Sequence, residues 1–566
     1  IAQCLVGSEM CIRDRYSAGW NKYLLGSYEQ NEDGSYSYTT NRVGNEVSTD
    51  LNSTNETAGD RRIYLEAMVD YNRTFGRHDV NAMLLYNQDE LVNNVPGNNL
   101  INSLPKRKQG LAGRLSYAYD GKYMAEVNMG YNGSENFAKG HRWGFFPSIA
   151  LGYNISEESF FEPLRKVITS MKLRGSWGLV GNDQIGGERF IYMPTINLSG
   201  KGFTTGIDQN YGLSGPVYTR YENNSITWEV GEKINLGIDL QLLNSLNIVV
   251  DIFRETRRDI FQKKGTIPTY LGTGNTDVFG NLAEMKNQGL DLSIDYNKAF
   301  SKDFYMNFKG TFTYAHNEIT KYDEAPKYAF QSKVGQSANV SQGYLSNGLF
   351  LDEAEIDRYN QQMGSTLGAG DIKYLNVSNM HGYGDDIVDV DDWTWIGNPT
   401  VPEIVYGFGP SFKYKNWDFS FFFQGVAKTS LFMSGFHPFG DNSLRNVLQF
   451  VANDRWSPTN QNVDAKYPRL TRKTSLNNTN PGNSGRTSDY WMRDGSFLKL
   501  KNMELGYTFK RMRFYISGSN LLTFSKFDLW DPEQGGGSGL KYPTQRVFNV
   551  GFQMTCLLYT SDAADE

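Results

Sequence analysis

The chain has 566 residues, of which 39% are hydrophobic and 14% aromatic, with a net charge of -6 and a mean hydropathy of -0.52. This acidic balance argues against nucleic acid as a partner, because nucleic-acid binding needs a basic face. No run of about 18 apolar residues occurs, which excludes a transmembrane helix but not transmembrane strands, since these are apolar on one face only. The 35 Tyr, 34 Phe and 58 Gly residues favour β-structure with many tight turns.

The two ends of the chain differ in composition from the segments beside them. They read IAQCLVGSEMCIRDR over residues 1–15 and CLLYTSDAADE over residues 556–566, and both resemble translated sequencing-adapter sequence. We therefore interpret them as non-native tails, and we expect them to carry no regular structure continuous with a sheet. All three cysteines lie in these tails: Cys4, Cys11 and Cys556. The core, residues 16–555, then has no candidate disulfide, thiolate metal ligand or cysteine nucleophile.

Taken in chain order, residues 63–554 show repeated alternation of apolar and polar positions, which predicts strands with one apolar and one polar face. The pattern is clearest in four segments: residues 234–242, 246–252, 290–297 and 502–509. In the first, Leu236 and Ile238 belong to the apolar set, whereas Asn235 belongs to the polar set. The polar positions include four acidic residues that we expect to face a wet lumen: Asp239, Asp251, Asp291 and Asp295.

The connections between these segments alternate between short and long. Short connections are predicted at residues 75–78, 120–121, 244–245, 300–303, 415–416 and 510–512. Long connections are predicted at residues 89–108, 133–144, 182–229, 258–286, 319–402, 429–496 and 523–545. Residues 155–170 are the exception, with intermediate length and a predicted helical turn. Short turns on one side and long loops on the other are typical of outer-membrane barrels, whereas a soluble sandwich has no reason to follow this rule.

We therefore predict an all-β fold, an antiparallel meander that forms a transmembrane β-barrel in the outer membrane. Its long loops are expected to be extracellular and its short turns periplasmic, and the last strand then ends on the periplasmic side. About sixteen strands are predicted, one or two of them before residue 60. Large bacterial transporters reach about 22 strands, so we expect the barrel to be incomplete at its N-terminal side.

A set of eight segments resembles the SusC/RagA-like TonB-dependent outer-membrane transporters. In family order they are YNRTFGRHDVNAMLLYNQ (71–88), GLAGRLSYAYDGKYMAEVNMGYNGSENF (110–137), GFFPSIALGYNISEESFF (144–161), MKLRGSWGLVGND (171–183), ITWEVGEKINLGIDL (226–240), VPEIVYGFGPSFKYKNWDFSFFFQG (401–425), YWMRDGSFLKLKNMELGYTF (490–509) and YISGSNLLTFSKFDLWDPE (515–533). The sequence departs from the family in having no recognisable carboxypeptidase-like domain, plug domain or first barrel strands, and in Cys556 where the family tends to end in an aromatic residue.

The resemblance implies the barrel portion of a nutrient importer, with oligosaccharide as the first expected solute and peptide as the second. It also implies two protein partners, a SusD-like surface lipoprotein that closes over the barrel mouth and TonB, which acts through the plug region. Outer-membrane lipid surrounds such a barrel. The energy for transport comes from the inner membrane in this family, so the chain itself needs no cofactor.

No catalytic residues are predicted. The sequence has no G-x-S-x-G elbow and no plausible triad, and its five histidines lack metal-ligand spacing, so we expect a protein that is not an enzyme. These histidines are His78, His141, His316, His381 and His437.

The acidic stretch DDIVDVDD, residues 385–392, is the one candidate cation site. Oxygen ligands from Asp385, Asp389 and Asp391 suit a structural Ca²⁺ ion, against the alternative of a solvated acidic loop. Family members carry a calcium-like run after GDIKY, but this sequence has Asn376 and Ser378 in place of the early acids.

Two tryptophans directly after the acidic stretch, Trp393 and Trp395, are candidate ligand-binding residues because indole faces stack on sugar rings. The alternative is packing within a long loop.

Two other functional classes remain open. A passive porin explains a barrel equally well. A secreted carbohydrate-binding or glycosidase β-domain needs paired carboxylates in one cleft and a soluble product, and it does not account for the alternating connections.

Overall fold

The computed structural model describes residues 2–17, 22–43, 52–95, 100–268, 270, 277–359, 361–362, 367–433, 448–470 and 487–554. Sixteen strands form one large sheet, and we number them in chain order. They are β1 (Ala2–Ser17), β2 (Asn52–Phe75), β3 (His78–Asn93), β4 (Lys106–Tyr119), β5 (Tyr123–Ser134), β6 (Trp143–Asn154), β7 (Ile168–Asn182), β8 (Glu229–Leu242), β9 (Leu246–Lys263), β10 (Phe279–Ala299), β11 (Phe304–Lys321), β12 (Ile404–Tyr414), β13 (Trp417–Ala427), β14 (Phe497–Phe509), β15 (Met512–Ser525) and β16 (Val547–Met554).

Each strand of this sheet pairs antiparallel with the next, so the sheet is an uninterrupted meander. The predicted all-β fold, its meander topology and its strand number are confirmed. Among the described residues no ladder joins β1 to β16, and the barrel is therefore not closed.

One expectation about the N-terminal tail is wrong. We predicted that residues 1–15 carry no regular structure continuous with the sheet, yet β1 begins at Ala2 and pairs with β2 from Ala2–Ala67 to Ser17–Asn52. The physical reason is that β2 is long and presents a row of unpaired backbone groups, which pair readily with any extended segment that precedes them. The foreign origin of the tail stays a prediction, and residues 555–566 lie outside the described residues.

Among the described residues, no second layer packs on the apolar face of the sheet, and this face remains exposed. Leu236 lies opposite Ile252, and the two side chains are 61% and 60% exposed. Leu151, in the same row, is 58% exposed. A soluble sandwich buries such a row, whereas a membrane barrel leaves it to lipid. The predicted outward direction of Leu236 agrees with this arrangement.

The connections follow the predicted alternation. Tight turns join β4 to β5, β8 to β9 and β12 to β13, and they use left-handed backbone at Asp120 (φ 55°), Asn244 (φ 55°) and Lys415 (φ 53°). The longest segments are residues 183–228, 322–403 and 428–496, and a meander places them on the opposite rim from those turns. The predicted helical turn within 155–170 is confirmed by two 3-10 segments, Ile155–Glu157 and Ser159–Leu164.

The long segments carry small elements of their own. Short strand pairs are Lys22–Gln30 with Tyr36–Val43, Thr195–Thr205 with Tyr211–Arg220, Ser341–Gly343 with Thr394–Ile396, Ser346–Leu349 with Ile372–Tyr374, Gln361–Gln362 with Ile387–Val388 and Ser430–Phe432 with Met492–Asp494. Short helices are Leu100–Ser103, Glu353–Ile356, Val377–Met380 and Gln449–Asn453, and further 3-10 turns are Ala329–Gln331, Val390–Asp392, Asp489–Trp491 and Pro532–Gln534. Within the described part of the chain, every helix is too short or too polar to span a membrane.

Candidate functional site

The polar face of the sheet is held together by charge pairs that cross from strand to strand. Arg174 on β7 donates to Asp239 on β8 at 2.7 Å and to Asp251 on β9 at 3.0 Å. Gly237 lies between them, and a Cβ atom there would stand 2.6 Å from the Asp251 carboxylate. Glycine at this position therefore lets the guanidinium lie across the strand and bridge two carboxylates.

The other predicted lumen acids lie on the same face. Asp291 on β10 is opposite Asp251 and accepts a hydrogen bond from the Thr313 hydroxyl at 2.7 Å. Asp295 accepts a hydrogen bond from the Asn297 amide. The sequence thus placed all four acids on the correct face, but it did not show that Arg174 pairs with two of them.

A cavity of about 490 Å³ lies against this polar face between β2 and β8. Its polar lining includes Asn81, Ser116, Glu126, Lys172, Arg174 and Asn235. Glu126 accepts hydrogen bonds from Ser116 at 2.8 Å and from Asn128 at 2.9 Å, which fixes its carboxylate. The cavity has the size of a small-molecule site and offers both charge signs together with amide and hydroxyl groups, which suit a polar solute.

On the long-loop rim, three long segments fold onto one another and form a hydrophobic core. We call this unit the loop platform, and its buried members are Tyr344, Leu349, Ile372, Tyr374, Val388, Leu431, Met433, Val451, Trp456, Ala465, Tyr467, Trp491 and Phe527. They come from the segments 322–403, 428–496 and 526–546. Trp456 packs over Gly370, whose left-handed backbone (φ 84°) and missing Cβ allow the indole to approach. The long loops are therefore an ordered structure with their own core.

Buried ion pairs join the platform segments to one another and to the sheet. Asp371 is fully buried and receives two hydrogen bonds from Arg469, at 2.6 and 2.9 Å, which raise the pKa of this arginine. Lys499 on β14 is also fully buried and donates to Asp531 at 2.5 Å and to Glu533 at 2.8 Å. The first pair connects two platform segments, and the second connects residues 526–546 to the sheet.

A second, smaller core lies beneath the other long segments. Its buried residues are Phe137, Ile185, Ile191, Ile226 and Trp228. Next to it, Asp183 accepts hydrogen bonds from Lys108 on β4 and from Ser134 on β5, both at 2.8 Å. Residues 183–228 are thereby attached to the strands on which they rest.

The two candidate ligand-binding tryptophans lie in the platform. Trp393 is half-buried and packs edge-on against Tyr344, with 5.9 Å between ring centroids. The indole of Trp395 donates to the Ser332 carbonyl at 2.9 Å. Both therefore have packing partners within the loop, and sugar stacking by either remains a prediction.

Each of the three candidate calcium ligands contacts a different group of the protein. Asp385 accepts from Asn376 at 3.1 Å and from Ser378 at 3.2 Å, Asp389 caps the Asp391 amide at 2.8 Å, and Asp391 pairs with Lys327. Across the residues that the structure describes, no cluster of three His, Cys, Asp or Glu side chains has the arrangement of a metal site. The calcium site stays a prediction, and its three ligands would first have to leave these partners.

Sequence reasoning missed Asp392, which organises this acidic turn. It is fully buried and accepts from the amides of Ser378 at 2.9 Å and Asp389 at 2.8 Å. Burial raises the pKa of Asp392, although the two hydrogen bonds act in the opposite direction and lower it. The only signal in the sequence is the Asp-x-x-Asp spacing of a capping box, from Asp389 to Asp392. This spacing is hard to recognise because other aspartates surround it.

Comparison with known proteins gives the following similarities. The chain matches the family described as TonB dependent receptor-like, beta-barrel over residues 10–521. It is 25% identical to TonB-dependent receptor P3 of Formosa agariphila, over 90% of this chain and 53% of that protein. It is 28% identical to TonB-dependent receptor SusC of Bacteroides thetaiotaomicron, over 78% of this chain and 43% of that protein. The chain thus spans about half the length of the curated relatives it matches.

Solved structures agree with this fold. The RagAB peptide importer in its open-open state superimposes with a TM-score of 0.69 at 18% identity, covering 98% of this chain and 58% of that chain. In its closed-closed state the TM-score is 0.67 at 19% identity, covering 98% of this chain and 60% of that chain. At this level of identity the likeness establishes the fold alone.

Proposed function

Because the chain belongs to the family of TonB-dependent receptor-like β-barrels and is therefore an outer-membrane protein, we propose that it forms the barrel part of a nutrient importer. Oligosaccharide is the first expected solute and peptide the second. The observation that carries the proposal is one sheet that combines an exposed apolar face, a polar face with a cavity of about 490 Å³, and a folded platform on one rim.

Two partners complete this proposal. A SusD-like surface lipoprotein closes over the loop platform, which has the rigidity to receive it because its core and its ion pairs are buried. TonB acts through a plug region of the kind found in full-length relatives. Peptide remains a candidate solute because the RagAB structures, which share this fold, are those of a peptide importer.

The polar face suits transport rather than chemistry. A solute with hydroxyl or amide groups exchanges hydrogen bonds with water for hydrogen bonds with Glu126, Lys172 and Asn235, at small net cost. Arg174 is paired with Asp239 and Asp251, so its guanidinium is not free to hold an anionic solute tightly. We infer that the chain catalyses no reaction, in line with a receptor family.

The test is uptake by whole cells that carry the full-length protein. A fluorescent oligosaccharide and a fluorescent peptide of matched mass are supplied with and without a protonophore, and in a strain without TonB. An importer loses uptake in both deprived conditions. A passive porin keeps it, and that result would replace the proposal with the porin alternative.

Neighbouring residues on opposite faces of β5 supply a matched pair of variants. Glu126→Ala removes a fixed carboxylate from the cavity. It should slow uptake about three- to tenfold, which corresponds to the free energy of one or two hydrogen bonds. Val127→Ala changes the adjacent outward side chain and should leave uptake unchanged. Equal rates for both variants would argue against passage of the solute along this part of the wall.

A further inference from the structure

The apolar outer face of β7 to β10 ends, toward the long-loop rim, in a row of charged and aromatic residues. On β9 the outward positions are apolar from Leu246 to Ile252, and the next outward residue is Arg254. Arg254 lies opposite Ile234 on β8 and opposite Gln288 on β10.

The height of Arg254 follows from strand geometry. It stands eight residues beyond Leu246 at the short-turn rim, about 27 Å along the strand, which a tilt of 35–45° converts to a height of about 20 Å. The apolar band of such barrels is about 25 Å tall. Arg254 is therefore just inside the upper boundary of the band, and its long side chain reaches the headgroup layer while its methylenes stay in contact with apolar surface.

Neighbouring residues mark the same boundary. Trp177 on β7 is outward, 38% exposed, and opposite Ile234, and its indole donates to Glu232 at 3.0 Å. Arg258 lies 3.6 Å from the same carboxylate. Tryptophan is enriched where apolar core meets headgroups, because one end of the ring is apolar and the other carries a donor.

In the described part of the chain, two cations in this row have no carboxylate within ion-pair distance. Arg254 is exposed and Lys286 occupies the next outward position on β10, diagonal to it. Within the described residues, neither side chain has a carboxylate in ion-pair range, although Glu318 is the register partner of Lys286. A cation at the edge of a low-dielectric layer is stabilised by an anion. Among the described residues, the neighbouring outward carboxylates, Glu318 opposite Lys286 and Glu232 diagonal to Arg254, lie beyond ion-pair distance of these two cations.

We propose that Arg254 and Lys286 bind the phosphate group of an anionic lipid in the outer leaflet, with Trp177 packed beside the start of its acyl chains. Diagonal positions across a ladder lie about 7–8 Å apart, which leaves room for one phosphate between the two side chains. The guanidinium binds two phosphate oxygens in its planar fork, and the ammonium adds a point charge. The site faces lipid, so it is separate from the solute path along the polar face.

The test measures lipid binding to the full-length protein in detergent by native mass spectrometry. The probe is a phosphorylated glycolipid with saturated acyl chains, compared with the same lipid after dephosphorylation and with inorganic phosphate alone. We expect the phosphorylated lipid to bind most tightly, and the double variant Arg254→Gln, Lys286→Gln to weaken its binding about thirtyfold. Arg254→Lys keeps the charge but loses the planar fork, so it should weaken binding less than the double variant does.

Lys233→Gln is the matched control, because Lys233 lies at the same height on β8 but on the polar face, near Glu255. It should bind the lipid as the unaltered protein does, and heat-modifiable migration on gels reports that each variant is folded. Equal binding of the dephosphorylated lipid, equal binding of inorganic phosphate, or an equal loss in Lys233→Gln would overturn the proposal.

Discussion

The sixteen-stranded sheet and the loop platform are stabilised in opposite ways. Among the described residues, the largest fully buried side chains lie in the long connecting segments, with Lys499 on β14 as the exception. Below the charged row near the long-loop rim, the sheet keeps apolar residues such as Leu236 and Ile252 on the outside and charged residues such as Asp239 and Asp251 inside. Its ladders satisfy the backbone. The platform has the arrangement of a soluble domain, with aromatic residues inside. The same kind of substitution should therefore have different effects in the two regions.

The largest expected effect is a difference in thiol labelling between the two rims, in which one rim reacts and the other does not. Asn416 lies in the short turn between β12 and β13, and Asn398 is exposed in the platform segment 322–403. In whole cells that carry the full-length protein, Asn398→Cys should react with a membrane-impermeant thiol reagent and Asn416→Cys should not. Permeabilised cells serve as the control, in which both should react. Labelling of both sites on intact cells would contradict the assignment of the two rims to different sides of the membrane.

Trp491→Ala tests the core of the platform. The side chain is fully buried, so its truncation should lower the free energy of platform unfolding by about 3–5 kcal/mol through lost burial and a cavity. Hydrogen exchange of residues 322–403 measures this loss. Trp417→Ala, at an exposed outward position on β13, should leave exchange in the platform unchanged. If Trp491→Ala instead abolishes the heat-modifiable barrel, then the two regions do not unfold independently.

Arg469→Met tests the ion pair between two platform segments. It leaves the fully buried Asp371 carboxylate without its charge partner, which should cost about 3 kcal/mol of platform stability. The double variant Arg469→Met, Asp371→Asn should recover part of that loss, because the uncompensated charge is gone. Hydrogen exchange is again the measurement, and identical losses in the single and double variants would show that buried charge is not the cause.

Leu236→Arg and Asn235→Arg test the two faces of the sheet at nearly the same height. Arginine on the outer face at position 236 should cost about 2–4 kcal/mol of barrel stability in lipid. At position 235 the arginine enters the wet, polar side and should cost far less. Refolding into lipid vesicles measures both values, and similar costs at the two positions would disprove the assigned faces.

The smallest expected effect is pH-dependent and concerns residues 526–546. Burial is the largest single influence on Asp531 and Glu533 and raises their pKa values, but several hydrogen bonds together outweigh it. Asp531 accepts from Lys499, the Glu533 amide and Thr544, and Glu533 accepts from Lys499 and Lys501, so both pKa values lie below the ordinary 3.8 and 4.5. Depressed pKa values stabilise the folded segment above the ordinary values, and this stabilisation is lost as pH falls through the lowered ones. Hydrogen exchange in residues 526–546 should therefore increase below about pH 4. In Lys499→Met the dependence on pH should shrink.

Much of the wall could be predicted from the sequence because its rules are local. Alternation with a period of two assigns each residue of a strand to a face, and positions such as Asp120 and Asn244 adopt the backbone that tight turns need. Those signals are contained within a few residues, so strand number, the position of the turns and the polar side of Asp239 and Asp251 needed no tertiary information. The sequence did not predict the β1 strand, because its pairing depends on the free edge of β2 and not on its own composition.

The platform and the charge pairs could be identified only from the tertiary structure. Arg469 lies 98 residues from Asp371, and Arg174 lies 77 residues from Asp251, so no local pattern relates the partners. The same holds for Asp391 and Lys327, and for Trp395 and Ser332, which meet only when the long segment folds back on itself. Long loops carry no periodic signal because each residue is placed by its contacts, and those contacts come from segments that are distant in the chain.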